Sequence, residues 1–375
     1  MRYRELVLPG LFWASVAYDM AVVSFTTKGI KEILALNNNP SANFLIGLLT
    51  SITLIGWFFG SLVFGYLSDK IGRRKIVIVA LPLHVLATAS MYLANSYIFF
   101  FLLRLLAGVG FGMILPTLSA LVSEKAPNNI RGRMVVLLDS FWTYGWILAS
   151  FTSIFITLPS GWEWYYLTSL FWLILLPLSK NLPETVSSRR RKVPVREVLK
   201  YRHTYVIWTV WFIMAMSYYG IFTWLPTIME KTYPVVKSHI FVFTTYLFQI
   251  PGYFLAAYLI EKIGRRYVLF LFMLLTALAA YLFLSGIIFI GATMLSFFDL
   301  GAWGALYAVT PELYPSRIKG TGSGAANSVG RIGGLIGPLM RGLFNDVGLF
   351  LLFTFSLLIG ALCSLLLPSK KQEKN

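Results

Sequence analysis

Apolar residues in this chain run in stretches of about twenty, closed by short clusters of charge, glycine or proline, without the two-residue alternation of a half-buried strand. An α-helix rises about 1.5 Å per residue, so roughly 20 apolar residues cross the hydrocarbon of a bilayer. The pattern predicts twelve such helices, at 6–25, 44–67, 76–94, 97–122, 134–156, 164–179, 205–225, 239–260, 267–285, 287–309, 322–343 and 348–367. The sixth is short, and only Ser285 and Gly286 mark the break between the ninth and the tenth. One longer polar stretch, 180–204, divides the twelve into two sets of six. The expectation is an all-α membrane protein with six-helix bundles at 1–179 and 205–375, joined by a basic cytoplasmic linker.

Composition agrees. Of 375 residues, 57% are hydrophobic and 13% charged, and the mean hydropathy is +0.72. A soluble domain carries about twice that share of charge, so a water-soluble enzyme is excluded. The net charge of +17 sits in short clusters rather than on one continuous face, which reads as membrane topology and not as nucleic-acid binding. With both ends in the cytoplasm, 25 of the 32 Lys and Arg fall on the inner side and 5 on the outer; the reverse orientation inverts that ratio. Arg2 and Arg4 lead straight into a full-length span, without the cleavage site of a signal peptide. Cys363 is alone, His84, His203 and His239 are far apart, and no Gly-Lys dipeptide marks a phosphate loop. No metal, disulfide, nucleotide or other cofactor is therefore expected; the energy source left is an ion gradient.

The two sets of six repeat one another. Asp69-Lys70-Ile71-Gly72-Arg73-Arg74 returns 192 residues later as Glu261-Lys262-Ile263-Gly264-Arg265-Arg266. The run from Glu124 through Pro127 to Arg131-Gly132 returns 188 residues later as Glu312, Pro315 and Lys319-Gly320. Leu182-Pro183-Glu184 is matched by Leu367-Pro368-Ser369. Matched loops at a nearly constant offset indicate an internal duplication. In these residues the chain resembles the major facilitator superfamily, over essentially its whole length. The loop from Gly65 to Lys75 is similar to that superfamily's Gly-x-x-x-Asp-x-x-Gly-Arg-Arg-Lys pattern. The Glu-x-x-Pro runs and Pro183-Glu184-Thr185 are similar to its sugar-porter and metabolite:proton symporter branches. The resemblance implies two pseudo-symmetric six-helix bundles around a central cavity, lined mainly by spans 1, 4, 7 and 10, that opens alternately to each side. It also implies a cytoplasmic gate. There Asp69 approaches the start of span 11 and Glu261 that of span 5. Arg73, Arg74, Arg131, Arg265, Arg266 and Lys319 pair with Glu124, Glu184 and Glu312 across the seam between halves only when the outside is open; the alternative is that the arginines merely enforce topology. Ala257 stands where the first loop has Gly65, which predicts looser helix contact there.

A charge at mid-bilayer costs about 2.5–3.5 kcal/mol on insertion scales, so each ionisable group within a span needs a partner or a task. Asp19 in the first span and Arg104 in the fourth fall at similar depth, which predicts an Asp19–Arg104 pair. That pair either titrates with the transported proton or is a permanent brace; the run from Arg104 to Gly110 resembles the superfamily's proton-coupling motif. Asp299 and Arg331 form a second expected pair, or meet substrate instead. His84 reads as a packed, hydrogen-bonded residue in preference to a proton relay, and Asp139 as structural or gating. The expected substrate contacts are Tyr218, Trp224, Gln249, Asp299, Asn327 and Arg331, Trp224 reading equally well as a belt residue at the outer surface. The function expected is proton-coupled uptake of a small polar organic metabolite, an organic acid or a sugar, by a monomer in the cell membrane. Alternatives are a proton-coupled exporter, a uniporter and, in a different class, a non-transporting sensor.

Overall fold

The computed structural model describes residues 3–36, 39–127, 131–156, 161–184, 194–315 and 318–368, with backbone only at residues 3, 4, 69 and 131–133. Among them every regular element is helical. The first half contains α1 (Val7–Val22), α2 (Ala42–Ile71), α3 (Arg73–Ala89), α4 (Tyr97–Lys125) and α5 (Phe141–Ile156). The second contains α6 (His203–Met229), α7 (Val235–Leu247), α8 (Gln249–Ile263), α9 (Arg265–Leu284), α10 (Ile288–Val309), α11 (Lys319–Leu339) and α12 (Asp346–Ser364).

Ten helical stretches among the described residues are long and apolar enough to cross a membrane, α7 and α8 together making one of them. The two remaining expected spans are helical as well. The sixth is assembled from short turns, Trp164–Leu167, Thr168–Ile174 and Leu175–Leu178, the middle one a 3-10 helix. The eleventh is the continuous helix α11, whose glycines and serines dilute its apolar character.

The chain forms two compact units, residues 1–190 with 223–243, and residues 191–222 with 244–375. Lipid tails are as apolar as leucine, so helices in a bilayer associate through close packing, which small residues allow. In the first unit α2 and α4 interlock through two Gly-x-x-x-Gly pairs. A Cβ on Gly56 would lie 2.2 Å from the Leu105 carbonyl oxygen, and one on Gly60 2.2 Å from that of Val109. Conversely, Gly108 and Gly112 lie against the carbonyls of Thr53 and Trp57. The second unit repeats the device between α6 and α11, where Gly333 and Gly337 meet the carbonyls of Phe212 and Met216. Its apolar core joins Val210 and Met214 of α6 to Leu269 and Phe272 of α9, Ala305 of α10 and Leu357 of α12. The looser contact expected at Ala257 has no basis, because a Cβ on the matching Gly65 would meet nothing within 4 Å.

Gly72 closes α2 and Gly264 closes α8, with φ of 105° and 90°. Each donates its amide to the carbonyl four residues back, at 3.1 Å in both cases. The duplication seen in the loop residues is thus repeated in backbone torsion.

Candidate functional site

Asp19 lies in the last turn of α1, fully buried. Its carboxyl is held on both sides: Oδ2 is 2.8 Å from His84 Nδ1, and Oδ1 accepts from the Ser169 hydroxyl at 2.7 Å. The far nitrogen of the imidazole, Nε2, lies 3.4 Å from Ser15 Oγ, whose own hydrogen goes to the Phe12 carbonyl at 2.8 Å. His84 is wedged in place by Gly110 of α4, where a Cβ would come within 2.7 Å of its own Cβ. The ring of Phe111 crosses it edge-on at 5.4 Å.

The expected Asp19–Arg104 ion pair is not made. Arg104 is fully buried, but its guanidinium turns to main-chain oxygens, those of Leu49 at 3.3 Å and Asp19 at 3.4 Å, and to Met20 Sδ at 3.6 Å. The expected depth holds, since the two residues meet, but the carboxyl faces α3 and the sixth span instead of α4. A buried ion is tolerated only when its remaining lone pairs and protons are satisfied, and here the His84 imidazole and the Ser169 hydroxyl serve the acid and carbonyls serve the base. Ser15, Ser169 and the imidazole's part in this network have no signal in the sequence beyond their polarity within apolar spans. Beside it, Tyr18 hydrogen-bonds Thr168 at 2.6 Å and Thr152 at 3.0 Å.

The second unit carries a chain of rings. Trp211 meets Tyr307 at 5.0 Å and Trp303 at 5.5 Å between centroids, and Trp303 in turn meets Tyr218 at 5.9 Å. Tyr219, 5.2 Å from Tyr218, accepts a hydrogen bond from Arg331 Nη1 at 3.2 Å. Gly330, next to Arg331, rests on Trp211, where a Cβ would come within 2.8 Å of the indole. Arg331 and Asn327 are half-buried on α11. Asp299 makes no ion pair with Arg331, correcting the second expected pair; it is fully buried, with neither carboxyl oxygen hydrogen-bonded among the described residues. Gln249, also fully buried, has its amide in the same condition. Trp224 is enclosed on all sides and belongs with the first unit, so it is no lipid-facing belt residue.

The cytoplasmic loop residues form pairs within each unit. Arg73 meets Glu124 at 3.1 Å in the first, and Arg265 meets Glu312 in the second. Arg74 takes Glu184 at 3.4 Å, while Arg266 takes the Leu367 carbonyl at 2.7 Å. Each of these contacts joins loops of one unit, so Arg73, Arg74 and Arg265 find acids of the expected set within a bundle. The cause is reach: α3 begins beside the end of α4, and α9 beside the end of α10. Lys70 over Tyr66 at 4.5 Å and Lys262 over Tyr258 at 5.3 Å extend the repetition. Glu261 is exposed at the end of α8. The Asp69 and Arg131 side chains lie outside the described residues, as does the linker's Arg189–Lys192 run. Tyr314, on the loop before α11, donates to Thr204 at 3.2 Å, and burial pushes its phenol above the usual value, so it remains a neutral donor.

Comparison with known proteins accords with this duplicated helical plan. A protein of Bacillus subtilis (strain 168), provisionally named a niacin/nicotinamide transporter, is 36% identical over 98% of this chain and 96% of its own length. A niacin transporter of Acinetobacter baylyi (strain ATCC 33305 / BD413 / ADP1) is 33% identical, covering 99% and 95%. The benzoate transport protein of the same organism is 26% identical, covering 91% and 83%. Among solved structures, a D-xylose-proton symporter superposes with a TM-score of 0.84 at 17% identity, over 99% of this chain and 98% of that one. The model of the Major Facilitator Superfamily matches residues 7–238 and 237–375. With both halves matched and relatives aligned end to end, this multi-pass membrane protein belongs to the major facilitator superfamily of transporters.

Proposed function

We propose that this transporter imports a small aromatic carboxylate of the nicotinate class together with a proton, across the cell membrane, with both termini in the cytoplasm. The observation that carries the reading is Arg331, held by Tyr219 at the edge of the Tyr218–Trp303–Tyr307–Trp211 ring chain. A planar guanidinium matches the two oxygens of a carboxylate, and aromatic faces suit a flat ring. The names of the relatives, for niacin and for benzoate, share that chemistry. A sugar, the other expected class, has no charge for Arg331 to answer.

Charge also argues for the proton. Carrying an anion into a cell with a negative interior costs about 2.3 kcal/mol per 100 mV, and one accompanying proton cancels that cost. Asp19 is the acid assigned to carry it, buried and hydrogen-bonded in the first unit while the carboxylate anchor stands in the second. Protonation of Asp19 then changes which of the alternating states is preferred. The test uses purified protein in liposomes loaded with nicotinate. Counterflow of labelled nicotinate is expected, with accumulation under an inward proton gradient. Asp19→Asn should keep counterflow and lose accumulation. Wild-type accumulation in that variant, or no nicotinate counterflow at all, rejects the reading.

A further inference from the structure

The hydrogen-bond directions around Asp19 say more than that it is buried. The Ser15 hydroxyl hydrogen goes to the Phe12 carbonyl at 2.8 Å, in preference to the imidazole at 3.4 Å. Ser15 Oγ therefore faces His84 Nε2 as an acceptor, and Nε2 carries a hydrogen. That leaves Nδ1, 2.8 Å from Asp19 Oδ2, with two possible conditions. Either Nδ1 is a lone pair receiving a hydrogen from a protonated Asp19, or the ring is an imidazolium donating to a carboxylate. Both descriptions place one proton between Oδ2 and Nδ1. The alternative, a neutral ring with hydrogen on Nε2 beside an ionised Asp19, would set two lone pairs against each other at hydrogen-bond distance.

We propose that the proton seat is the Asp19–His84 couple rather than the carboxyl alone, and that Ser15 registers its occupancy by turning its hydroxyl. The proposal rests on the proton coupling inferred above. In the loaded state, one proton is shared between Oδ2 and Nδ1, Nε2–H donates to Ser15, and Ser15 donates to Phe12. Unloading breaks the Nε2–H bond and the proton passes to water; the shared proton settles on Nδ1 as a full N–H bond to an ionised Asp19. The Ser15 hydroxyl then swings from the Phe12 carbonyl to the vacated Nε2. One proton leaves, and the couple changes from neutral to a single negative charge. Arg104 of α4, Tyr18 of α1 and Tyr165 of the sixth span are the other ionisable groups near Asp19, the two phenols being neutral and Arg104 the charged one. The guanidinium on the Asp19 carbonyl is placed to balance the charge of the unloaded state. Ser169 keeps Oδ1 occupied throughout, so the exchange is confined to Oδ2.

Nitrogen NMR of full-length protein labelled with 15N-histidine tests this without needing substrate. His84 is identified as the signal lost in His84→Gln. Across a pH titration its hydrogen is expected to move from Nε2 to Nδ1 as the couple unloads, and Asp19→Asn should abolish that movement. Ring signals that are independent of pH, or that titrate identically in Asp19→Asn, overturn the proposal. Transport supplies a second readout. Glutamine can still donate to Asp19 but cannot titrate, so His84→Gln should retain nicotinate counterflow within about twofold and lose proton-driven accumulation by roughly tenfold or more. Ser15→Ala, a smaller change, should keep the couple and blunt the pH response of Nε2. A wild-type pH profile in His84→Gln refutes the role. Absence of nicotinate counterflow in the unaltered protein would overturn the substrate reading alone, and the NMR result would still decide the couple.

Discussion

A guanidinium presents its donors in a rigid plane, whereas an ammonium is a point charge on a flexible stem, so Arg331 offers a means of separating charge from geometry. If it grips a carboxylate, Arg331→Lys should raise the KM for nicotinate about tenfold and Arg331→Gln about a hundredfold, each tenfold step being about 1.4 kcal/mol of binding. Tyr219→Phe, which removes the phenol that steadies the guanidinium at 3.2 Å, should have a smaller effect of the same sign. Counterflow at graded nicotinate concentration measures all three, and equal KM values across the set would sink the assignment. Candidate residues of this kind are visible in the sequence because an ionisable group inside an apolar span is conspicuous. Their partners are not. Depth matches Arg104 to Asp19, yet rotation about the helix axis decides which neighbour a side chain meets, and nothing in the apolar pattern of α1 fixes that rotation. The apolar setting of His84 suggests a packed, hydrogen-bonded residue without showing that its partner is Asp19.

At the level of the helix, the glycines sort into those that set an interface and those that do not. A Cβ on Gly108 would lie 2.1 Å from the carbonyl oxygen of Thr53, a backbone atom that can move only if α2 and α4 separate. Gly65, on the same α2, faces open space. Gly108→Ala should therefore lower the detergent melting temperature by several degrees or abolish the folded yield, and Gly65→Ala should change it little. Fluorescence-detected size-exclusion after heating distinguishes them; equal thermal stability would show that the α2–α4 contact has slack. Span number and approximate limits are legible because twenty-residue apolar runs leave few alternatives. The broken sixth span is not, since a 3-10 turn and an α turn share the same apolar composition and differ only in the hydrogen bonds that neighbouring helices permit. Ser169, which reaches Asp19, sits in that irregular stretch.

For the molecule as a whole, duplication is the most legible feature, because loop motifs at a fixed offset survive where apolar spans drift. The same offset recurs in the Arg73–Glu124 and Arg265–Glu312 pairs and in the Tyr–Lys contacts beside them. What the sequence leaves open is whether those arginines join the halves or brace each one, since both uses need the same residues. The described pairs each lie within one unit. Arg265 and Glu312 are both partly exposed, so a double-mutant cycle with alanine should give coupling of only about 0.5–1 kcal/mol there, and a larger value for Arg73–Glu124, whose guanidinium is buried. Larger coupling between Arg73 and Glu312 than between Arg73 and Glu124 would assign them the joining role.

Gly264 leaves room for a side chain, with nothing within 4 Å of a would-be Cβ, yet its φ is 90°. Space admits a larger residue there and torsion opposes one, and torsion should prevail at a cost of roughly 1–3 kcal/mol for any replacement. A saturation library read by surface expression should find position 264 intolerant of alanine as much as of tryptophan, a flat profile that crowding alone cannot produce.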